Sequence, residues 1–228
     1  MLRVLGLAAG LGLALSTGVA AQSGCPSGVA RDGVWLSFSD RSVLTRVQSD
    51  GTIAEIEFAQ DGSYVYVYRT LPVGLVTESW ALVNGFASRE ERETVSYQGT
   101  PAAIPGPMPG ARFDGIETAR YPDGGETRSS VSLVVGSARP VSIGGCAYTG
   151  LPIDVTRVDL QGGPPQRDSM MHLLELGLTI YLGFSEGAEP PQNAMPLTIS
   201  MTPPPVGGTG MSDGGPVIAP PPLPAPTK

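Results

Sequence analysis

The sequence predicts an all-β protein, an antiparallel and mostly meander-connected sheet that forms a sandwich or half-barrel. Three observations carry that expectation. From Gly33 to about Met201 apolar and polar residues alternate with period two, Asp-Gly pairs recur between the alternating runs, and no long helical period competes with them. The chain holds 31 glycines and 23 prolines with only 15% charged residues, which favours turns and loops over long helices.

In chain order, the first 21 residues read as a secretory signal peptide. Arg3 supplies a positive charge, Val4 to Leu15 an apolar run, and Val19-Ala20-Ala21 the small residues of a cleavage site before Gln22. The apolar run is shorter than the roughly 20 residues of a spanning helix, so the mature chain is expected to have no transmembrane segment and to be periplasmic or secreted. Cys25 and Cys146 are the only cysteines. In an exported chain they read as a disulfide, with a stabilisation of roughly 4–5 kcal/mol from the length of loop closed. The competing reading, a lipid anchor at Cys25, has small residues at Ser23-Gly24 but a polar Gln22 where an apolar residue is wanted.

The strands follow. Val34, Leu36 and Phe38 alternate with polar or amphipathic neighbours; Ala54, Ile56 and Phe58 alternate with Glu55 and Glu57, which read as a solvated face. Tyr64, Tyr66 and Tyr68 alternate with Val65 and Val67, and Gln60-Asp61-Gly62-Ser63 makes the hairpin before them. Asp-Gly at Asp32, Asp50, Asp61, Asp114 and Asp123 suggests type I′ turns, since both residues tolerate positive φ. Ser88 to Glu93 reads as a charged, solvated loop, and residues 98–110 as a Pro/Gly loop inside one domain spanning residues 22–201. Val131, Leu133 and Val135, then Ile153 and Val155, then Leu178, Ile180, Leu182 and Phe184 supply further strands. Residues 202–228 carry nine prolines and little apolar bulk, the composition of a disordered tail.

Composition excludes several functions. Without Arg3 the mature chain has thirteen basic against twenty-one acidic residues, so nucleic acid is not an expected partner. The only lysine is Lys228, which leaves no candidate for Schiff-base or phosphate-loop chemistry, and no cofactor motif is present. Gly183-Phe184-Ser185-Glu186-Gly187 matches the G-x-S-x-G nucleophile elbow, but Pro190-Pro191 blocks the helix that must follow and His172 precedes Ser185. His172 has Asp168 and Glu175 nearby; on a strand only Asp168 shares its face, too few ligands for a metal. The Tyr64-Tyr66-Tyr68 stripe is the candidate binding surface, with Trp35 and Trp80 as possible companions.

The layout from Gly144-Gly145-Cys146-Ala147-Tyr148 through Ile153-Asp154-Val155-Thr156-Arg157-Val158 to Leu173-Leu174-Glu175-Leu176-Gly177-Leu178 resembles exported bacterial proteins of the lipoprotein-carrier half-barrel type. That resemblance implies a curved sheet around an apolar cavity for acyl chains, usually covered by helices. The expected function is therefore a non-enzymatic binding or structural protein of the cell envelope, with an envelope protein as a possible partner. A periplasmic carrier of lipid or another apolar ligand is the first alternative, and a serine hydrolase using Ser185 the second.

Overall fold

A computed structural model describes residues 24–83, 86–100, 102–190, 192–193 and 195–205; of residues 64, 82, 83, 86, 87, 89 and 193 it describes the backbone alone. The leader and the tail beyond residue 205 lie outside the described residues. Fourteen strands and no helix occupy the described chain. They are β1 (Val34–Ser37), β2 (Arg41–Val47), β3 (Ile53–Ala59), β4 (Tyr64–Thr70), β5 (Val76–Val83), β6 (Phe86–Thr100) and β7 (Arg112–Arg120). After these come β8 (Glu126–Val135), β9 (Arg139–Ile143), β10 (Cys146–Asp159), β11 (Gln166–Leu173), β12 (Leu178–Glu186), β13 (Gln192–Asn193) and β14 (Thr198–Ser200). All pairings are antiparallel, in the order β13-β12-β11-β10-β8-β7-β6-β5-β4-β3-β2-β1-β14, with β9 paired to β10 beside that path. The two ends, β13 and β14, are not hydrogen-bonded to each other, so the sheet curls without closing.

One hairpin design recurs. Gly62 N–H donates to the Ala59 carbonyl at 2.9 Å and Ala59 N–H to the Ser63 carbonyl at 2.9 Å. The same pair of bonds joins Gln48 to Gly51 and Thr52, Leu71 to Gly74 and Leu75, and Tyr121 to Gly124 and Gly125. This is a three-residue loop ending in a glycine bulge, not the expected type I′ turn. Glycine takes the positive φ (81° at Gly62), while Asp50, Asp61 and Asp123 each accept the backbone N–H two residues on, at 2.9, 2.9 and 2.8 Å.

Asp114-Gly115 departs from this pattern, since it lies inside β7 instead of at a turn. Gly115 faces Gly99 across the ladder, where a Cβ on Gly99 would stand 2.3 Å from the Asp114 carbonyl oxygen. The Phe113 ring lies across both glycines, 2.8 and 2.9 Å from where their Cβ atoms would be. Two further segments differ from expectation. Ser88 to Glu93 is not a loop but part of β6: its charges are used by strand pairing, with Arg92 bonded to Glu78 and Ser79 Oγ donating to Glu93 at 3.2 Å. Gln98 to Thr100 also belongs to β6, so the Pro/Gly connection begins only after Thr100, and its Ile104 packs on the core.

Three apolar clusters hold the curl. The largest joins Val34, Leu36, Val43 and Ile53 of β1–β3 to Tyr148, Met171, Leu173 and Ile180 of β10–β12. A second brings Val73 and Leu75, in the β4–β5 turn, against Phe113, Leu133, Ile153 and Met170. Those partners are up to six strands away in sheet order, so the turn can reach them only because the sheet is rolled. A third is a row across one face, Trp35-Leu44-Ile56-Val67-Trp80, built from direct cross-strand neighbours. Cys25 and Cys146 form the disulfide expected from their number, with Cα atoms 5.6 Å apart, and tie the segment before β1 to β10. The sulfur that a lipid anchor would need is therefore already bonded.

Candidate functional site

Rolling the sheet gives eight consecutive strands, β4 to β8 and β10 to β12, one shared cavity of about 590 Å³. The inward positions of each strand change character along its length. On β7 they run Ala119, Glu117, Gly115, Phe113; on β8 Thr127, Ser129, Val131, Leu133; on β10 Asp159, Arg157, Val155, Ile153; and on β11 Gln166, Asp168, Met170, His172. Polar residues thus line the mouth, and the second apolar cluster fills the floor. The result is a polar cup closed below by the β4–β5 turn.

Arg157 is the centre of the cup. Its Nε donates to Glu117 Oε2 at 2.8 Å and Oε1 at 3.1 Å, and its Nη1 to Asp168. Gln166 Nε2 and the Tyr181 hydroxyl complete Asp168 at 3.1 and 3.3 Å. Burial alone would lower the guanidinium pKa, but Glu117 and Asp168 outweigh it and hold it above the ordinary arginine value. The Tyr97 hydroxyl donates to the Val76 carbonyl at 2.8 Å; burial, then the Glu117 charge, push its pKa up. Burial and Asp168 do the same to Tyr181. Among the described residues one arginine faces five lining carboxylates (Glu93, Glu117, Asp159, Asp168 and Glu186), an acidic balance.

Glu55 and Glu57, expected on a solvated face, point inward from β3 beside this wall. Both faces of β3 are covered in the rolled sheet, with Ile56 and Phe58 on one and Ile53 on the other. Burial, then the neighbouring Glu57, push the Glu55 carboxyl up to about 7. Glu57 is also raised by burial, although Arg41 Nε at 3.7 Å opposes this.

The predicted tyrosine stripe divides. Tyr68 lines the cup, and Tyr66 stacks on it with ring centroids 5.8 Å apart and planes at 23°. The Tyr64 side chain lies outside the described residues. Burial, then Glu57, raise the Tyr68 pKa. Trp35 and Trp80 do not join this surface: Trp80 pairs with Val67, on the opposite face of the sheet from Tyr68. No family model matches the chain, and no curated protein or solved structure resembles it closely enough to carry an argument.

The remaining candidates are held apart. Ser185 is a strand residue paired with Arg167, five positions along β11 from His172, a separation of about 17 Å at the usual rise. His172 Nδ1 is 3.0 Å from the Thr179 hydroxyl, which donates to the Pro72 carbonyl and so pins the floor turn. Burial lowers the His172 pKa, which favours the neutral ring. Asp168 does share the His172 face, as strand parity required, but it serves Arg157. Glu175 instead accepts the Thr149 N–H at 2.8 Å.

Sequence reasoning missed Arg157, Glu117 and Glu93. A signal was present: Arg157 continues the inward register of Ile153 and Val155, a position where a charge needs a partner.

Proposed function

We propose that the mature protein is an exported, non-enzymatic binding protein of the cell envelope whose acidic cup holds a small polar ligand. The carrying observation is the convergence of eight strands on one cavity walled, among the described residues, by carboxylates, tyrosines and a single arginine. Its volume falls within the range of small-molecule sites, and its few convergent polar groups are of the kind that orient a ligand. The apolar interior is occupied by packed side chains (Phe113, Leu133, Leu151 and Ile153 are each at most 1% exposed), which favours a polar ligand over an acyl chain. Export is supported by the leader pattern of residues 1–21 and by compatibility with the disulfide. Among the described residues no helix is long and apolar enough to cross a membrane.

The test is ligand-observed and protein-observed NMR on the mature chain with a mixed library of amines, sugars, carboxylates and fatty acids. Binding that shifts the Tyr68 and Tyr97 ring signals is expected from polar compounds. A library in which only fatty acids bind, or in which no compound moves the cup signals, would overturn the reading. Edman or mass analysis of protein from the periplasm should find Gln22 at its N-terminus.

A further inference from the structure

We propose that Arg31 and Arg46 form a binding site for a phosphomonoester, on the face of the sheet turned away from the cup. A second cavity, of about 480 Å³, lies at the end of β2 and is lined by Arg31, Arg46, Val47, Gln48 and Ser49. It shares no lining residue with the cup. The Val47 N–H donates to the Ala30 carbonyl at 2.9 Å, which brings Arg31 alongside this strand end. Arg46 shares its face of β2 with Leu44 of the third apolar cluster.

Arg46 carries the inference. Among the described residues the other half-buried arginines, Arg41, Arg69, Arg92 and Arg157, each have a carboxylate partner. Arg46 is half-buried too and has none. Its Nε is buried without a hydrogen-bond partner, whereas its two terminal nitrogens are not buried and the side chain lines the cavity. A partly desolvated charge without a counter-charge is unfavourable, and here a ligand can reach it from solution. The stem is also held in place. Gly33, at φ 96°, leaves the space that Arg46 crosses: a Cβ there would stand 2.9 Å from Arg46 Cγ and 3.0 Å from Nε. A guanidinium on a stem packed against backbone loses less freedom on binding.

Every polar side chain lining the cavity can donate a hydrogen bond, and among the described residues no carboxylate lines it. Asp50, in the loop that follows, is turned onto Thr52, accepting its N–H at 2.9 Å and its hydroxyl at 2.6 Å. Asp32, next to Arg31 in the chain, does not line the cavity. A carboxylate offers two oxygens and one charge, which a single guanidinium satisfies bidentately. A phosphomonoester brings three acceptor oxygens and a charge of about −1.5 to −2 at pH 7, which matches two guanidiniums. The acidic chain disfavours anions at long range, but 0.1 M salt screens charges beyond about 10 Å and leaves the local pair to decide.

Titration calorimetry of the full mature chain with glucose 1-phosphate in 0.1 M salt tests the proposal, with acetate as the competing anion. Saturable binding is expected at pH 7.5, weakening as the pH falls through about 6, where the phosphate gains its second proton. Arg46→Gln should weaken it at least tenfold, as a roughly bidentate pair is lost, and Arg31→Gln, at an exposed residue, about threefold. Arg128→Gln, at an exposed arginine of β8, should leave it unchanged. The amide signals of Gln48 and Ser49 should shift on addition, and the ring signals of Tyr68 and Tyr97 should not, so this site and the cup stand or fall separately. Co-sedimentation with phosphatidylcholine vesicles carrying phosphatidic acid distinguishes a lipid headgroup from a soluble ester; loss of either interaction in Arg46→Gln supports the site. Absence of binding to both ester and vesicles, binding unchanged in Arg46→Gln and Arg31→Gln, or acetate bound as tightly as the ester would overturn it.

Discussion

Replacing Glu55 with Gln is expected to stabilise the folded protein at pH 8 and to leave it unchanged at pH 4. The folded-state carboxyl titrates at about 7 against an ordinary 4.5, because the rolled sheet strips water from it and places Glu57 alongside. With the folded pKa raised, the native state binds its proton more tightly than the unfolded chain does. The penalty is therefore absent below pH 4.5, grows as pH rises from 4.5 to 7, and is constant above 7. Each pH unit in that window corresponds to about 1.4 kcal/mol, so the ceiling is about 3 kcal/mol. Glu55 is half-buried, and water at its edge reduces the realised value below that ceiling. Gln keeps the shape without the charge.

Urea melts of both proteins at half-unit steps from pH 4 to 8.5 give the difference directly, and subtraction removes the opposite contribution of His172, whose lowered pKa costs stability on acidification. In a chain of this size each kcal/mol corresponds to about 2–4 °C of Tm, so a gain of several degrees at pH 8 is expected. A difference curve flat with pH, or a variant less stable at pH 8, would refute the burial argument.

Three other perturbations have defined outcomes. Replacing Cys25 and Cys146 together with Ala removes a closure spanning 121 residues, a loss of about 5 kcal/mol on the chain-entropy treatment, read as a fall in the urea midpoint; a midpoint within error of the native one would contradict the bridge. Arg157→Met leaves Glu117 and Asp168, both half-buried or deeper, without their cation, and should cost about 3–5 kcal/mol at pH 7 by chemical denaturation. An unchanged stability would mean that the cluster is solvated. Gly115→Ala places a Cβ 2.3 Å from the Gln98 carbonyl oxygen and should cost about 1–3 kcal/mol in a thermal melt, with displaced Phe113 ring signals.

Strand content was legible because alternation is local: the runs at Ile53 to Phe58 and Leu178 to Phe184 declare their period whatever the fold around them. Which face meets water was not, because that depends on the roll of the sheet. Glu55 and Glu57 looked solvated for this reason, while the opposite side of β3 also turned out to be covered. The tyrosine stripe pointed to the cup through Tyr68, but the other wall comes from β7, β10 and β11, more than 40 residues later in the chain. The β6 residues Ser88 to Glu93 escaped notice because charges at successive positions hide the alternation, and only pairing with Glu78 and Ser79 shows how they are used. The type I′ assignment failed for a related reason: a dipeptide does not reveal where in the loop it sits.

The cup exists only if the sheet curls until the β4–β5 turn plugs its bottom. Methyl NOEs measured on selectively labelled protein test this most directly. Val73 and Leu75 should show cross-peaks to Ile153 and Met170, four to six strands away in sheet order. A flat sheet would hold those strands about 19 Å or more apart, and cross-peaks from Val73 and Leu75 confined to adjacent strands would contradict the cup.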